Sequence, residues 1–217
     1  MKNVIICAGG PAAEIAELKK LHTSETIFIG ADRGALHLLQ MGIIPHEAVG
    51  DFDSVSENEY KTIIEAVRIV DRFRAEKNET DTELAVERAM TYHPEKIILT
   101  GVTGGRLDHA ESVLHLLYRF QTEFPHIQFA IRNPLNELTM LNPGIHELTQ
   151  EKQLPYVSFF PFGGSVRGLS LAGFKYEISE ESLETGMTKF TSNELATGVC
   201  TISFREGICL MVRSSDA

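Results

Sequence analysis

Five aspartates stand in short motifs along the first half of the chain: Asp32 in GADRGA (30–35), Asp51 and Asp53 in GDFDS (50–54), Asp81 in ETDTE (79–83) and Asp108 in TGGRLDH (103–109). Residues i and i+2 of an extended segment point to the same side, so Asp51 and Asp53 are expected to project together. At a separation of ~6 Å and an effective dielectric of ~20, their repulsion is roughly 3 kcal/mol. A cation would offset that cost. The local alternative makes Asp51 a turn residue and Asp53 a lead into a helix, with SVSE (54–57) as a capping box.

Where the other acids fall depends on the elements that carry them. From residue 3 to about 132, β-branched runs alternate with helical patterns, which marks βαβ units and a parallel sheet. The runs are 3–8, 26–30, 47–50, 68–72, 96–101 and 127–132. Helices are expected over 11–21, with Pro11 in the first turn, and over 106–120, with Leu107, Ala110, Leu114 and Leu117 on one face. Thr80 and Glu83 form a second capping-box pattern, which puts Asp81 in a first helical turn, and Asp108 has the same place in the next helix. In an open parallel sheet, ligands bind where strands turn into helices. All five carboxylates are therefore expected at one rim.

Such a rim suits Mg²⁺, which takes hard oxygen ligands and bridges carboxylates to nucleotide phosphates. Gly9-Gly10 and Gly104-Gly105 would let backbone amides approach phosphates at helix N-termini, with Arg33 and Arg106 as charge partners. Read without that context, the glycine pairs are plain turns and the arginines surface ion-pair residues. Neither glycine pair matches the G-x-x-x-x-G-K-[ST] loop.

After about residue 135 helical periodicity stops. Short apolar runs, ELTML, YVSFF, VRGLSLAGFKYEI, GVCTISF and ICLMVR, are separated by Gly, Pro and Asn, and REG (205–207) fits a hairpin turn. The expected fold class is α/β: an N-terminal doubly wound, mostly parallel sheet domain (1–135) followed by a smaller antiparallel β-sandwich domain (136–217).

With 43% hydrophobic residues the 217-residue chain can bury one large core or two small ones. A net charge of −10 argues against nucleic acid as a partner. Cys7, Cys200 and Cys209 form no C-x-x-C pair, and buried reduced thiols in the cytoplasm are expected. The N-terminal VIICA is too short for a membrane span and lacks a signal-peptide layout, so neither export nor membrane insertion is expected.

The stretch GADRGALHLLQMGIIPHEAVGDFDS, then ETDTELA and TGGRLDH, and in the second half GFKYEI followed by TSNE, resemble the thiamine pyrophosphokinases, in particular the bacterial form. The resemblance covers nearly the whole chain. It implies an ATP-binding α/β domain, a thiamine-binding β-sandwich, and a homodimer whose active sites are shared between subunits. The implied reaction moves a diphosphate from ATP to the hydroxyl of thiamine, giving thiamine diphosphate and AMP.

Carried over by position, Asp51, Asp53 and Asp81 are the magnesium-holding carboxylates, and Asp108 is an ATP-side or catalytic carboxylate. Asp32, Arg33, Gly34, Thr80, Thr103, Gly104, Gly105 and Arg106 fall on the ATP side. Lys77, Tyr176, Ser192 and Asn193 fall on the thiamine side, with Tyr176 where animal members carry a tryptophan. The chain departs from the family pattern at Val113, where an Asn is expected, at Lys77, where some members have a glutamine, and at Asn78, where an acid is common. His109 reads as a helix-surface or structural histidine. Two rival readings compete: a D-x-D glycosyltransferase, which leaves Asp81, Asp108 and the second half without a role, and a non-catalytic nucleotide or thiamine sensor, which predicts loss of a rim carboxylate.

Overall fold

β1 (Asn3–Cys7) and β5 (Lys96–Thr100) carry the continuous apolar runs NVIIC and KIILT, the pattern of strands covered on both faces. They lie side by side in the middle of a parallel sheet. The computed structural model describes residues 2–73 and 79–216. β2 (Ile27–Ala31), β3 (Glu47–Gly50), β4 (Ile69–Arg72) and β6 (Gln128–Arg132) complete the order β4-β3-β2-β1-β5-β6. Every neighbouring pair is parallel. The chain moves outward from β1 to β4, then returns to the other side of β1. The junction of β1 and β5 is thus a topological switch point, where loops leave in opposite directions and a crevice opens.

Between the strands lie α2 (Gly34–Gln40), α3 (Glu57–Ala66), α4 (Asp81–Met90) and α5 (Leu107–Glu123), preceded by the single turn α1 (Leu18–Leu21). Ile5, Cys7, Phe28 and Ile98 share one apolar cluster with Leu18 and Leu38, and Ala48 shares another with Leu36 and Ile63.

Two helical expectations change. The stretch 11–21 is a 3-10 turn at Ala12–Glu14, an extended Ile15 and then α1. Extension lets Ile15, Ala16 and Leu18 all be buried, and the Ala16 N–H donates to Thr100 Oγ1 at 2.8 Å. On α5 the buried stripe is Val113, Leu116, Leu117 and Phe120, while Leu107 is 84% exposed.

Residues up to 117 with 126–134 form one compact unit; 118–125 with 135 onward form a second. In the second unit β7 (Asn136–Leu141), β8 (Gly144–Thr149), β9 (Tyr156–Ala172), β10 (Ile178–Leu183), β11 (Asn193–Glu194), β12 (Val199–Phe204) and β13 (Glu206–Ser214) pair antiparallel throughout. The first part of β9 pairs with β13, which pairs with β7; its later part pairs with β10 and β12, and β12 with β8. Val157, Phe159 and Met211 of one layer and Leu169, Leu171 and Ile202 of the other fill a single apolar cluster, a small β-sandwich.

Two strand expectations change as well. YVSFF and the start of VRGLSLAGFKYEI belong to one strand, β9, and the rest of the second run turns back into β10. REG is no hairpin: β12 and β13 each pair with β9 but on different layers, so Arg205 carries the chain from one layer to the other.

Candidate active site

β3 brings the chain to the rim at Gly50, and Phe52 then folds inward. Its ring is buried, 5.1 Å from the Tyr60 ring centroid, and its φ is 61°. A left-handed aromatic residue costs on the order of 1–3 kcal/mol, which burial of the ring, worth about 2 kcal/mol, offsets. With Phe52 turned in, Asp51 and Asp53 turn out. The Asp53 N–H donates to Asp51 Oδ1 at 3.0 Å. The two acids therefore converge through a tight turn, not through the extended geometry expected.

Asp32 joins them from the end of β2, with φ 51°. One carboxylate oxygen from each of Asp32, Asp51 and Asp53 lies within 4.8 Å of the other two. The Ser54 hydroxyl donates to Asp32 Oδ2, whereas Oδ1 is buried with no hydrogen-bond partner. Burial raises the Asp32 carboxyl above its ordinary range; the Ser54 hydroxyl and Arg33 amide pull it down, and the charges of Asp81 and Asp53 push it up.

Arg33 serves this loop directly. Its Nε donates to the Ser54 carbonyl at 3.1 Å, Nη2 donates to the same oxygen, and Nη1 lies 3.4 Å from Glu59 Oε1. Glu59 also closes a capping box with Ser56 at the start of α3. The box is thus formed by residues 56 and 59 and not by 54 and 57, because α3 starts two residues later than the motif suggested.

Thr80 caps α4 by accepting the Glu83 N–H at 3.2 Å, which puts Asp81 in the first turn, lining the same crevice. Arg88, further along α4, lies 2.5 Å from the buried Glu47 of β3 and also pairs with Asp71 of β4; the Tyr92 hydroxyl donates to Glu47. The helix that carries Asp81 is thereby tied to the strand that leads to Asp51.

The crevice encloses about 770 Å³ over the ends of β1, β2, β3 and β5. Of the residues assigned to ATP, Asp32, Arg33, Thr80, Thr103, Gly105 and Arg106 line it. Gly34 lies beneath: a Cβ there would stand 1.8 Å from the Cys7 carbonyl oxygen, so the glycine lets α2 rest on β1. Gly104 faces the Glu14 side chain. Asp108 sits in the first turn of α5 as expected but, unlike the other four aspartates, does not line the crevice; it is paired with Arg106, Nε to Oδ1 at 3.1 Å and Nη2 to Oδ2 at 2.5 Å. The guanidinium holds this exposed carboxyl down at about 2.

On the second unit, Tyr176 is 62% exposed and Asn193 is buried beside its main chain. Ser192 has φ 55° and donates its N–H to Ser158 Oγ at 2.9 Å. Lys77 and Asn78 lie outside the described residues. His109 is exposed and, with His37, lines the crevice; His37 Nε2 is 3.1 Å from the Gly10 carbonyl. His37 and Glu14 were missed by sequence reasoning. Spacing offered one signal for His37: it stands four residues after Arg33 on the rim helix.

A parallel sheet with an acid-lined crevice at its switch point defines an α/β protein that takes its ligand at the strand ends. The family model "Thiamin pyrophosphokinase, catalytic domain" matches residues 18–129, and "Thiamin pyrophosphokinase, vitamin B1 binding domain" matches residues 145–209. A Bacillus subtilis (strain 168) thiamine pyrophosphokinase is 38% identical over 216 residues, covering 100% of both chains. A crystal structure of a thiamine pyrophosphokinase from Bacillus subtilis superposes with a TM-score of 0.92 at 36% identity, covering 100% of each chain. One from Geobacillus thermodenitrificans gives 0.88 at 33% identity, covering 100% of this chain and 99% of that one. The chain belongs to the thiamine pyrophosphokinase family.

Proposed function

We propose that the chain transfers a diphosphate from ATP to the hydroxyl of thiamine with the help of Mg²⁺, releasing AMP and thiamine diphosphate. The observation that carries this reading is the convergence of Asp32, Asp51 and Asp53 within 4.8 Å, at the mouth of a crevice large enough for a nucleotide. The orphaned Asp32 Oδ1 and the repulsion among three carboxylates fit a cation there. Asp51 and Asp53, with Asp81 from the same crevice, would hold it, and the unpartnered Asp32 Oδ1 offers a further oxygen. When bound, Mg²⁺ supplies charge neutralisation to the phosphates being transferred.

In the transfer, the thiamine hydroxyl oxygen forms a bond to the β-phosphorus of ATP as the bond from that phosphorus to the oxygen bridging α and β breaks. AMP leaves with that oxygen, and the hydroxyl proton passes to Asp81, which lines the crevice, or to Asp108 once Arg106 has released it. The chain's part is mostly positioning and electrostatics. Thr80, Thr103, Gly105 and Arg106 line the face along which the phosphates would lie. Arg106, released from Asp108, supplies positive charge.

Tyr176 offers an exposed ring to cationic thiamine, and we assign it that role together with Ser192 and Asn193. We read the working enzyme as a homodimer in the cytoplasm with active sites shared between subunits. The free, buried thiols of Cys7, Cys200 and Cys209 support the compartment, and among the described residues no helix is long and apolar enough to cross a membrane.

The test is incubation of purified protein with ATP, Mg²⁺ and thiamine, with EDTA and thiamine-free controls. Equal amounts of AMP and thiamine diphosphate that vanish with EDTA support the proposal. Ligand binding without products points to a sensor and overturns it.

A further inference from the structure

Glu14 is absent from every motif that carries the site, yet it joins the two loops that flank the switch point. The 3-10 turn after β1 delivers it, closed by its own N–H donating to the Pro11 carbonyl at 2.9 Å. Its Oε2 accepts from Thr103 Oγ1 at 2.9 Å and from Asn133 Nδ2 at 3.0 Å, and the same Asn133 Nδ2 lies 3.0 Å from Thr103 Oγ1. Three side chains, from the ends of β1, β5 and β6, thus close a triangle. Gly104, with φ 75°, sits against Glu14 so closely that a Cβ would stand 2.2 Å from its Cγ. Thr103 and Gly105 line the crevice; Glu14 stands behind them.

A carboxylate beside a phosphate site would repel the ligand if it faced inward. Here it is held from behind by two donors, so its effect on a ligand passes through the loop. We infer that Glu14 is a positioning residue for the nucleotide: it seats the 103–105 loop so that the loop's amides and the Thr103 main chain face the phosphates. This rests on the proposal that ATP occupies the crevice. Backbone bonds from Ala8 N–H to the Thr100 carbonyl and from Gly10 N–H to the Gly101 carbonyl, both at 2.8 Å, fix the base of the β5 loop but not its tip. Without Glu14, the tip would keep its chain connections and the Asn133 bond to Thr103, and lose the carboxylate that ties it to the β1 loop.

The experiment compares wild type with Glu14→Ala, Glu14→Gln and Thr103→Val. It measures KM for ATP and for thiamine, binding of α,β-methylene-ATP by calorimetry, and thermal melting. Glu14→Ala is expected to weaken α,β-methylene-ATP binding and raise the ATP KM by about 10-fold, with the thiamine KM changed less than about twofold. Glu14→Gln keeps an acceptor oxygen of the same reach and is expected to stay within about threefold of wild type. Thr103→Val keeps the shape, removes the donor, and should shift ATP in the same direction, so the inference does not hang on one variant folding. Unchanged analogue binding in both Glu14→Ala and Thr103→Val overturns it. So does an equal rise in both KM values alongside a lower melting temperature, which marks a merely structural residue. A wild-type protein that forms no thiamine diphosphate defeats the parent proposal instead.

Discussion

The side-chain amide of Asn193 is locked to the main chain of Tyr176: Oδ1 accepts the Tyr176 N–H at 3.1 Å and Nδ2 donates to the Tyr176 carbonyl at 2.9 Å. Oδ1 also accepts the Glu194 N–H at 2.9 Å. Asn193 is buried and Tyr176 exposed, so the one side chain sets the pose of the other's backbone. Asn193→Asp puts an acceptor where Nδ2 now donates, facing the Tyr176 carbonyl. We expect a loss of about 1–3 kcal/mol in urea unfolding, and a rise in the KM for thiamine that exceeds the rise for ATP.

Removing one rim charge should separate activity from stability. Asp53→Asn relieves repulsion within the carboxylate cluster, so its melting temperature without Mg²⁺ is expected to equal or exceed that of wild type, while turnover falls by at least about 100-fold. A melting temperature that drops in step with activity would assign Asp53 to the fold.

Mg²⁺ itself should stabilise the wild type and not Asp51→Asn. An ion that binds only the folded state adds about 2.7 kcal/mol at 100 times its dissociation constant. Melting curves across a Mg²⁺ series, repeated with EDTA, measure this directly.

Asp108 titrates at about 2 because the Arg106 guanidinium favours its charged form. A depressed folded-state value stabilises the fold above the ordinary carboxylate range and loses that contribution as pH falls through about 2. Carbon-detected NMR of the Asp108 carboxyl should show a midpoint near 2, and Arg106→Gln should return it to roughly 4.

Arg88→Ala strips the charge partner from Glu47, which is nearly fully buried on β3. The expected cost is about 3 kcal/mol in urea unfolding. Arg88→Ala combined with Glu47→Gln should cost less than Arg88→Ala alone.

The parallel sheet was legible because NVIIC and KIILT are continuous apolar runs, and the acidic rim followed from the rule that loops leave at strand ends. Asp32 was read at that rim but not as the third member of the carboxylate cluster, since spacing along one strand says nothing about a neighbour delivered by the next. The helix expected over 11–21 failed where tertiary burial of Ile15 and Ala16 overrode periodicity. YVSFF and VRGLSLAGFKYEI read as separate runs because a Pro- and Gly-containing stretch lies between them; β9 runs through that stretch with a positive φ at Gly163, which run spacing cannot tell from a turn. Glu14 carried no signal, because its partners Thr103 and Asn133 are 89 and 119 residues away.

β10, β11, β12 and β13 all bond to β9. A protease cut within it would therefore not free one layer and spare the other. Both layers would lose their shared edge in one cooperative step, and the second unit should melt as a single transition with no half-folded sandwich along the way.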